Sequence, residues 1–185
     1  MIENEKTDST SLSSCSSKEN KTKVKGSNTI KLIGELLTDI CNDKKQNKKD
    51  KLVLIKYFFS KKVPNISISD YIQHLSRYIG DSEETIILTL IYIDRICELH
   101  KINLNYNNIH KLILASFATA NKYLEDIHYS MHFFSKVGGV SKKEMINLEY
   151  EFLKLIDFNL FVNEELYMKY KNNLENLEND DEDII

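Results

Sequence analysis

The sequence predicts an all-α protein, and three observations carry that prediction. Apolar residues recur at three- and four-residue spacing in several separate stretches. Most of these stretches open on a Ser or Asn followed by acidic residues, the pattern that caps a helix and suits its positive end. No alternating apolar and polar run is long enough to make a useful strand. At 185 residues and 42% hydrophobic content the chain is sized for one globular domain with a tail.

Residues 1–26 are Ser, Lys, Asn, Glu and Thr with almost nothing apolar, so the expectation is a disordered tail. From Ser27, "SNTIKLIGELLTDICND" places Ile30, Ile33, Leu36, Leu37 and Ile40 on one helical face. The charge run "DKKQNKKDK" then reads as a solvated linker, so residues 27–63 are expected to form an N-terminal helix and linker. A short apolar piece, "LVLIKYFF", precedes the single proline, Pro64.

Five further helical segments follow. Ser67 with Asp70 opens "ISDYIQHLSRYI", and Gly80 is placed to end it in a left-handed conformation. Ser82 with Glu83 and Glu84 opens "EETIILTLIYIDRICELH". The third runs from about Asn108 through "IHKLILASFATANKYLED", where Ala115, Ser116, Ala118 and Ala120 are small enough for neighbouring helices to approach closely. The second and third are apolar on nearly every side, which marks them as central. The fourth begins with the capping box Ser141-Lys142-Lys143-Glu144, with Val140 able to pack on Met145. Before it, Gly138 and Gly139 are expected to take backbone conformations closed to other residues. The fifth has Asn163 as cap, Glu164 and Glu165 in its first turn, and Val162 set to pack on Tyr167. "ENDDEDII" reads as an acidic solvated tail, residues 176–185.

Composition excludes several functions. With 28 acids against 25 bases the net charge is -3, so nucleic acid is not an expected partner. No run approaches the length of a membrane span and the N-terminus lacks an apolar signal region, so no membrane role is expected. Cys15, Cys41 and Cys97 are odd in number and far apart, which argues for a reducing compartment rather than a disulfide framework. His128 and His132 in "HYSMH" lack the glutamate of the zinc-protease motif and follow the third segment in an irregular stretch. No phosphate-cradling loop or catalytic triad is recognisable, so no catalytic residues, metal or cofactor are expected.

One carboxylate asks for explanation. Around Glu149 the helical neighbours Met145, Ile146, Phe152, Leu153 and Ile156 are all apolar, whereas Glu151 faces Asn147 and Lys154. A charge in an apolar stripe is costly without a partner. Glu149 therefore either pairs internally, for example with Lys122, or meets another protein. Glu125 and Asp126, three and four residues after Lys122, offer that lysine an ordinary surface pair.

Several stretches together resemble a cyclin box: "ISISDYIQHLSRY", "IYIDRI", "LNYNNIHKLILAS", "NKYLEDIHYS", "FSKVGGVSKKEMINLEYEFLKLIDFNL" and "LYMKYKNNL". They look most like the single-box P/U-type cyclins, the group that includes the phosphate-signalling cyclins. The likeness covers roughly residues 30–175, and the box is expected over 64–175. The resemblance implies a five-helix cyclin box with an additional N-terminal helix. It implies a non-catalytic subunit that binds a cyclin-dependent protein kinase as a 1:1 heterodimer, in the nucleus or cytoplasm, through the third and fifth helices of the box. Lys122 and Glu149 fall where cyclins place the charged pair that reaches the kinase. The alternatives are a kinase-independent helical adaptor and a transcription-factor-like domain. Other cyclins carry an Arg-containing "MRAIL" element that docks substrates and pairs with the Asp of "IDR". Here Ile68 stands where that Arg aligns, so Asp94 is expected to find another partner and that mode of docking is in doubt.

Overall fold

The computed structural model describes residues 16–43, 56–80, 82–126 and 128–182, with side chains from residue 28 to 178 within those ranges. The expectations placed on residues 1–15, the linker at 44–55 and the last three residues lie outside the described residues. Seven α-helices are present among the described residues: α1 (Ser16–Asn42), α2 (Ile68–Ile79), α3 (Glu83–His100), α4 (Ile109–Leu124), α5 (Met131–Val137), α6 (Lys142–Leu155) and α7 (Glu164–Glu182). A 3-10 turn, Lys56–Phe58, precedes α2.

The architecture follows from how much of each helix is apolar. In α3 and α4 almost every residue between Thr85 and Ile93 and between Ile109 and Asn121 is buried. These two helices pack on each other at the centre, as their sequences predict. Ala115, Ser116, Ala118 and Ala120 are fully enclosed, and the Ser116 hydroxyl donates to the Thr89 carbonyl at 2.8 Å. Around this pair, α2 and α6 pack on α4, α5 bridges α2 and α6, and α1 and α7 contact each other and α3.

The caps at Ser67, Ser82, Ser141 and Asn163 form as read, each side-chain oxygen accepting from a first-turn backbone N–H. Glu144 does not complete its capping box; its carboxylate is paired with Lys111 on α4 at 2.8 Å. Asn108 makes no side-chain cap bond and instead ties the preceding loop, donating to the Asn103 carbonyl and accepting from the Asn105 N–H. Gly80 ends α2 with φ 144° and ψ 144°, a positive-φ extended backbone rather than a left-handed helical one.

The element bounds depart from expectation in three places. α1 starts at Ser16, inside the stretch expected to be disordered. Its buried half, Ile30, Ile33 and Leu37, is held against the core. Extending an existing helix through Lys-rich sequence costs far less than nucleating one, so apolar content is a poor guide to its end. α7 likewise continues through residues 176–182, past the buried Leu174, although Asn and Asp make up most of that stretch. The stretch after α4 is not irregular throughout: α5, capped by Ser130, occupies seven residues of it, too few to show a period.

α5 explains the paired glycines. It ends in a Schellman motif, with Val140 N–H bonded to the Ser135 carbonyl and Gly139 N–H to that of Lys136. Gly139 takes the left-handed position at φ 70°. Gly138 has an ordinary helical backbone, so the expectation of a forbidden conformation fails there. Its constraint is space: an added Cβ would lie 2.4 Å from a methyl of Leu114.

Gly34 sets how closely α1 can lie on α2. A Cβ there would come within 2.6 Å of the Ser69 Cα, a backbone atom that cannot rotate aside. Gly→Ala inside a helix ordinarily gains up to about 1 kcal/mol from propensity. Gly34→Ala is expected to reverse that sign and destabilise by about 1–3 kcal/mol, as overpacking does. Chemical denaturation of the variant beside wild type measures it, and a stabilised variant would show that the two helices are not in fixed contact.

Candidate functional site

The site forms where α4, α5 and α6 meet. Lys122, in the last turn of α4, points its ammonium at Glu149, in the middle of α6, with Nζ 2.5 Å from Oε1. The same ammonium lies 3.1 Å from the Met131 sulfur and 5.6 Å from the centre of the Phe134 ring, both on α5. One cation therefore ties three helices at a single point. The internal pair left open by the sequence is present, and Lys122 chooses Glu149 over Glu125 or Asp126.

Glu149 does not lie deep in its apolar face. Met145, Phe152 and Ile156 are buried, but Ile146 is exposed and Leu153 half-exposed, which puts the carboxylate on the border of the buried stripe. Its side chain keeps 21% of its accessible surface and that of Lys122 keeps 27%, so both are within reach of a second protein. Glu151 pairs with the exposed Lys154 at 3.4 Å, although its own side chain is only partly exposed.

The surroundings of the pair are apolar and exposed. Tyr123 and Leu124 follow Lys122 directly, and Ile146 and Tyr150 lie within a turn of Glu149; all four face solvent. Beyond α6 the chain presents Phe158 and Phe161, 62% and 70% exposed. Asp157 and Phe158 both have φ 54°. α6 ends in a Schellman motif, Phe158 N–H to the Leu153 carbonyl, with Asp157 where glycine is usual. A positive φ at a residue as bulky as Phe is a rare and costly conformation, and such strain gathers at functional sites.

The strained connection is braced by α3. Arg95 donates to the carbonyls of Asn159 at 2.5 Å and Phe161 at 3.1 Å, and the Tyr92 hydroxyl donates to that of Leu160 at 2.8 Å. Nothing local in the sequence marks these contacts, since each spans more than sixty residues.

Comparison with known proteins adds to this geometry. A protein-family model described as Cyclin matches residues 3–160. The chain belongs to the cyclin family. It is 33% identical to Cyclin-U2-1 of Arabidopsis thaliana over 119 residues, 64% of this chain and 54% of that protein. It is 31% identical over 166 residues to PHO85 cyclin-7 of Saccharomyces cerevisiae (strain ATCC 204508 / S288c), 83% of this chain and 58% of that one. To the PHO85 cyclin-like protein psl1 of Schizosaccharomyces pombe (strain 972 / ATCC 24843) it is 36% identical over 115 residues, 61% and 47% of the two chains. The chain thus spans about half the length of these relatives. They agree with a P/U-type cyclin and with the all-α fold.

Within the cyclin fold, α5 corrects the helix count. Five helices, α2 to α6, separate the flanking α1 and α7, so Lys122 is on the third of the five and Glu149 on the fifth. The segment capped by Asn163, counted fifth from sequence, is a further helix beyond them. Ile68, standing where other cyclins carry an arginine, is buried in the core. Asp94 accepts instead a short hydrogen bond from the Tyr170 hydroxyl on α7. The other partner expected for Asp94 is thus on another helix, and Arg95 serves the 159–161 backbone. The thiols of Cys41 and Cys97 are pushed up by burial to about 11 and about 12, so neither is a thiolate at neutral pH.

Burial, then the hydrogen bond to Asp94, raises the pKa of the Tyr170 hydroxyl. A raised folded-state pKa means stability that is complete below the ordinary tyrosine value of about 10 and is lost as pH rises through the folded one. Tyr170→Phe is expected to cost about 1–3 kcal/mol at neutral pH by leaving Asp94 without its donor. It should also flatten the alkaline fall in melting temperature. Thermal melts across pH 7–11 of both proteins check this, and an unchanged melting temperature at pH 7 would show that water serves Asp94 equally well.

Proposed function

We propose that this chain is a regulatory subunit, without catalytic chemistry of its own, that binds a cyclin-dependent protein kinase one to one and activates it. The observation that carries the reading is the Lys122–Glu149 pair, joined across the third and fifth helices of the five and set among exposed Tyr123, Leu124, Ile146 and Tyr150. A large apolar patch at a monomer's surface marks an interaction site. Family membership, and relatives whose names call them PHO85 cyclins, support a cyclin-dependent kinase as the partner for that surface.

The resemblance to cyclins supplies the mechanism. The exposed Tyr123 and Leu124 of α4 and Ile146 and Tyr150 of α6 pack against the kinase's C-helix and hold it inward. That completes the kinase's own Lys–Glu pair on the nucleotide phosphates and repositions its activation loop. Lys122 fixes the Glu149 side chain through Oε1, leaving Oε2 to accept from kinase backbone. Because each charge is already neutralised by the other, enclosing both beneath a partner is less costly than burying either alone. The braced 156–163 connection adds Phe158 to the contact. The site of action is intracellular, where such kinases work.

The tests use the kinase that co-purifies with the tagged protein from native extract. Glu149→Ala is expected to weaken association by about 2–5 kcal/mol, because it leaves Lys122 unpaired beneath the partner. Glu151→Ala, two residues away and paired instead with the exposed Lys154, should change it by about 0.5 kcal/mol or less. Lys122→Ala should resemble Glu149→Ala, and the double variant should lose less than the sum of the singles. Affinity is read beside melting temperature for all four. If Glu149→Ala binds normally while its melting temperature collapses, the pair only holds the helices together.

A further inference from the structure

A cleft of about 370 Å³ opens between α1, α3, the 102–104 loop and α7, on elements other than the three that build the Lys122–Glu149 site. Its walls are aliphatic. Leu37, Ile93, Leu104 and Leu174 line it from the core, and Leu36 and Leu177 line it while keeping 37% and 45% of their surface exposed. Helices that meet imperfectly leave such hollows, and aliphatic walls alone call for no ligand.

Asp94 sets this cleft apart. A carboxylate on an apolar wall is costly unless it is paired. Asp94 accepts one hydrogen bond, from the Tyr170 hydroxyl to Oδ2, and is in no ion pair among the described residues. Its Oδ1 accepts no bond among the described residues and is not sealed from solvent. Arg95, beside it in sequence, is engaged by the carbonyls of Asn159 and Phe161. No Lys, Arg or His lines the cleft. Burial, then Asp94 and Glu98, raise the pKa of Tyr170 against the opposing charge of Arg95, so a second acid, one turn along α3, is also felt at this wall. The cleft has the apolar body of a binding site and a negative charge with no cation to match it.

We propose that this cleft binds a small amphiphilic amine, its ammonium on Asp94 Oδ1 and its hydrocarbon body between the leucines of α1, α7 and the 102–104 loop. The volume is that of a small-molecule pocket. A partner's helix, about 10 Å across with its side chains, is too large for it. Charge selects the head group: an ammonium gives the carboxylate a charge-assisted hydrogen bond, a carboxylate or phosphate meets it with like charge, and an uncharged head leaves Asp94 without a cation. The association is noncovalent, since burial pushes the Cys97 thiol on the same wall up to about 12. The cleft shares no residue with the proposed kinase contact, so this site stands or falls independently of that reading.

The experiment is calorimetric titration of the full chain at neutral pH with decylamine, decanol and decanoate, each kept below the concentration at which it forms micelles, beside melting temperatures at each ligand concentration. Decylamine is expected to bind saturably and to raise the melting temperature, because it binds the folded chain in preference to the unfolded one. Decanol should bind about tenfold more weakly or worse, lacking the bond to a charged group, and decanoate more weakly still. Asp94→Asn keeps an oxygen for the Tyr170 hydroxyl and should bring decylamine down to the affinity of decanol. The double variant L36S/L177S, at two exposed positions, should weaken amine and alcohol alike, and it supplies the test of the walls should Asp94→Asn fail to fold. No saturable binding of decylamine, equal affinity for amine and alcohol, or undiminished amine binding by a folded Asp94→Asn or by L36S/L177S would each overturn the proposal. Equal affinity would make the cleft a nonspecific hydrocarbon site.

Discussion

Everything outside the centre of this molecule depends on how closely α3 and α4 approach. The small side chains of α4 let its backbone lie against α3, and the Ser116 hydroxyl, buried between them, satisfies its polarity on the Thr89 carbonyl. Both helices are then enclosed on nearly every side, so the surrounding helices need only one apolar face each. The amphipathic α2 and α6 supply such faces, and their outward sides are left free to carry function.

The candidate site is an end product of that arrangement. α4 is buried from Leu112 to Asn121, and the next residue, Lys122, carries a charge into a partly exposed position. α6 crosses there with Glu149 at the margin of its buried stripe, while the Gly138–Gly139 turn, wedged against Leu114, fixes where α6 begins. The pair is thus positioned by backbone constraints upstream and by core packing beneath. On the far side of α6, Arg95 and Tyr92 play a comparable part for the strained connection, holding by hydrogen bonds a backbone shape that its own residues resist.

What could be read in the sequence was what is decided locally. The caps at Ser67, Ser82, Ser141 and Asn163 each involve residues three apart, so a short window contains the whole interaction. Glu149 was legible because a carboxylate in an apolar stripe violates the helical pattern, and the pattern itself supplied the question. α5 was missed because two turns are too short to establish a period, and with it went the count that places Glu149 on the fifth of five helices. The Tyr170–Asp94 bond joins residues 76 apart and exists only because α7 packs on α3, so no local signal announces it. The same holds for Gly34 and Gly138, whose importance lies in what sits opposite them. The sequence showed that glycine was present but not what it had to clear.

The double left-handed turn at Asp157 and Phe158 has a kinetic consequence. A loop that must become ordered when a partner arrives loses conformational entropy at encounter, and association slows accordingly. Here that cost is met during folding, since the Schellman bond of Phe158 and the two Arg95 bonds fix the backbone in the free protein. Two large aromatic side chains are consequently held outward at a constant spacing before any partner is near. On the function proposed above, such a surface would recognise by fit rather than by adaptation, and selectivity among closely related partners would be written into a stretch of main chain and not into the side chains it displays.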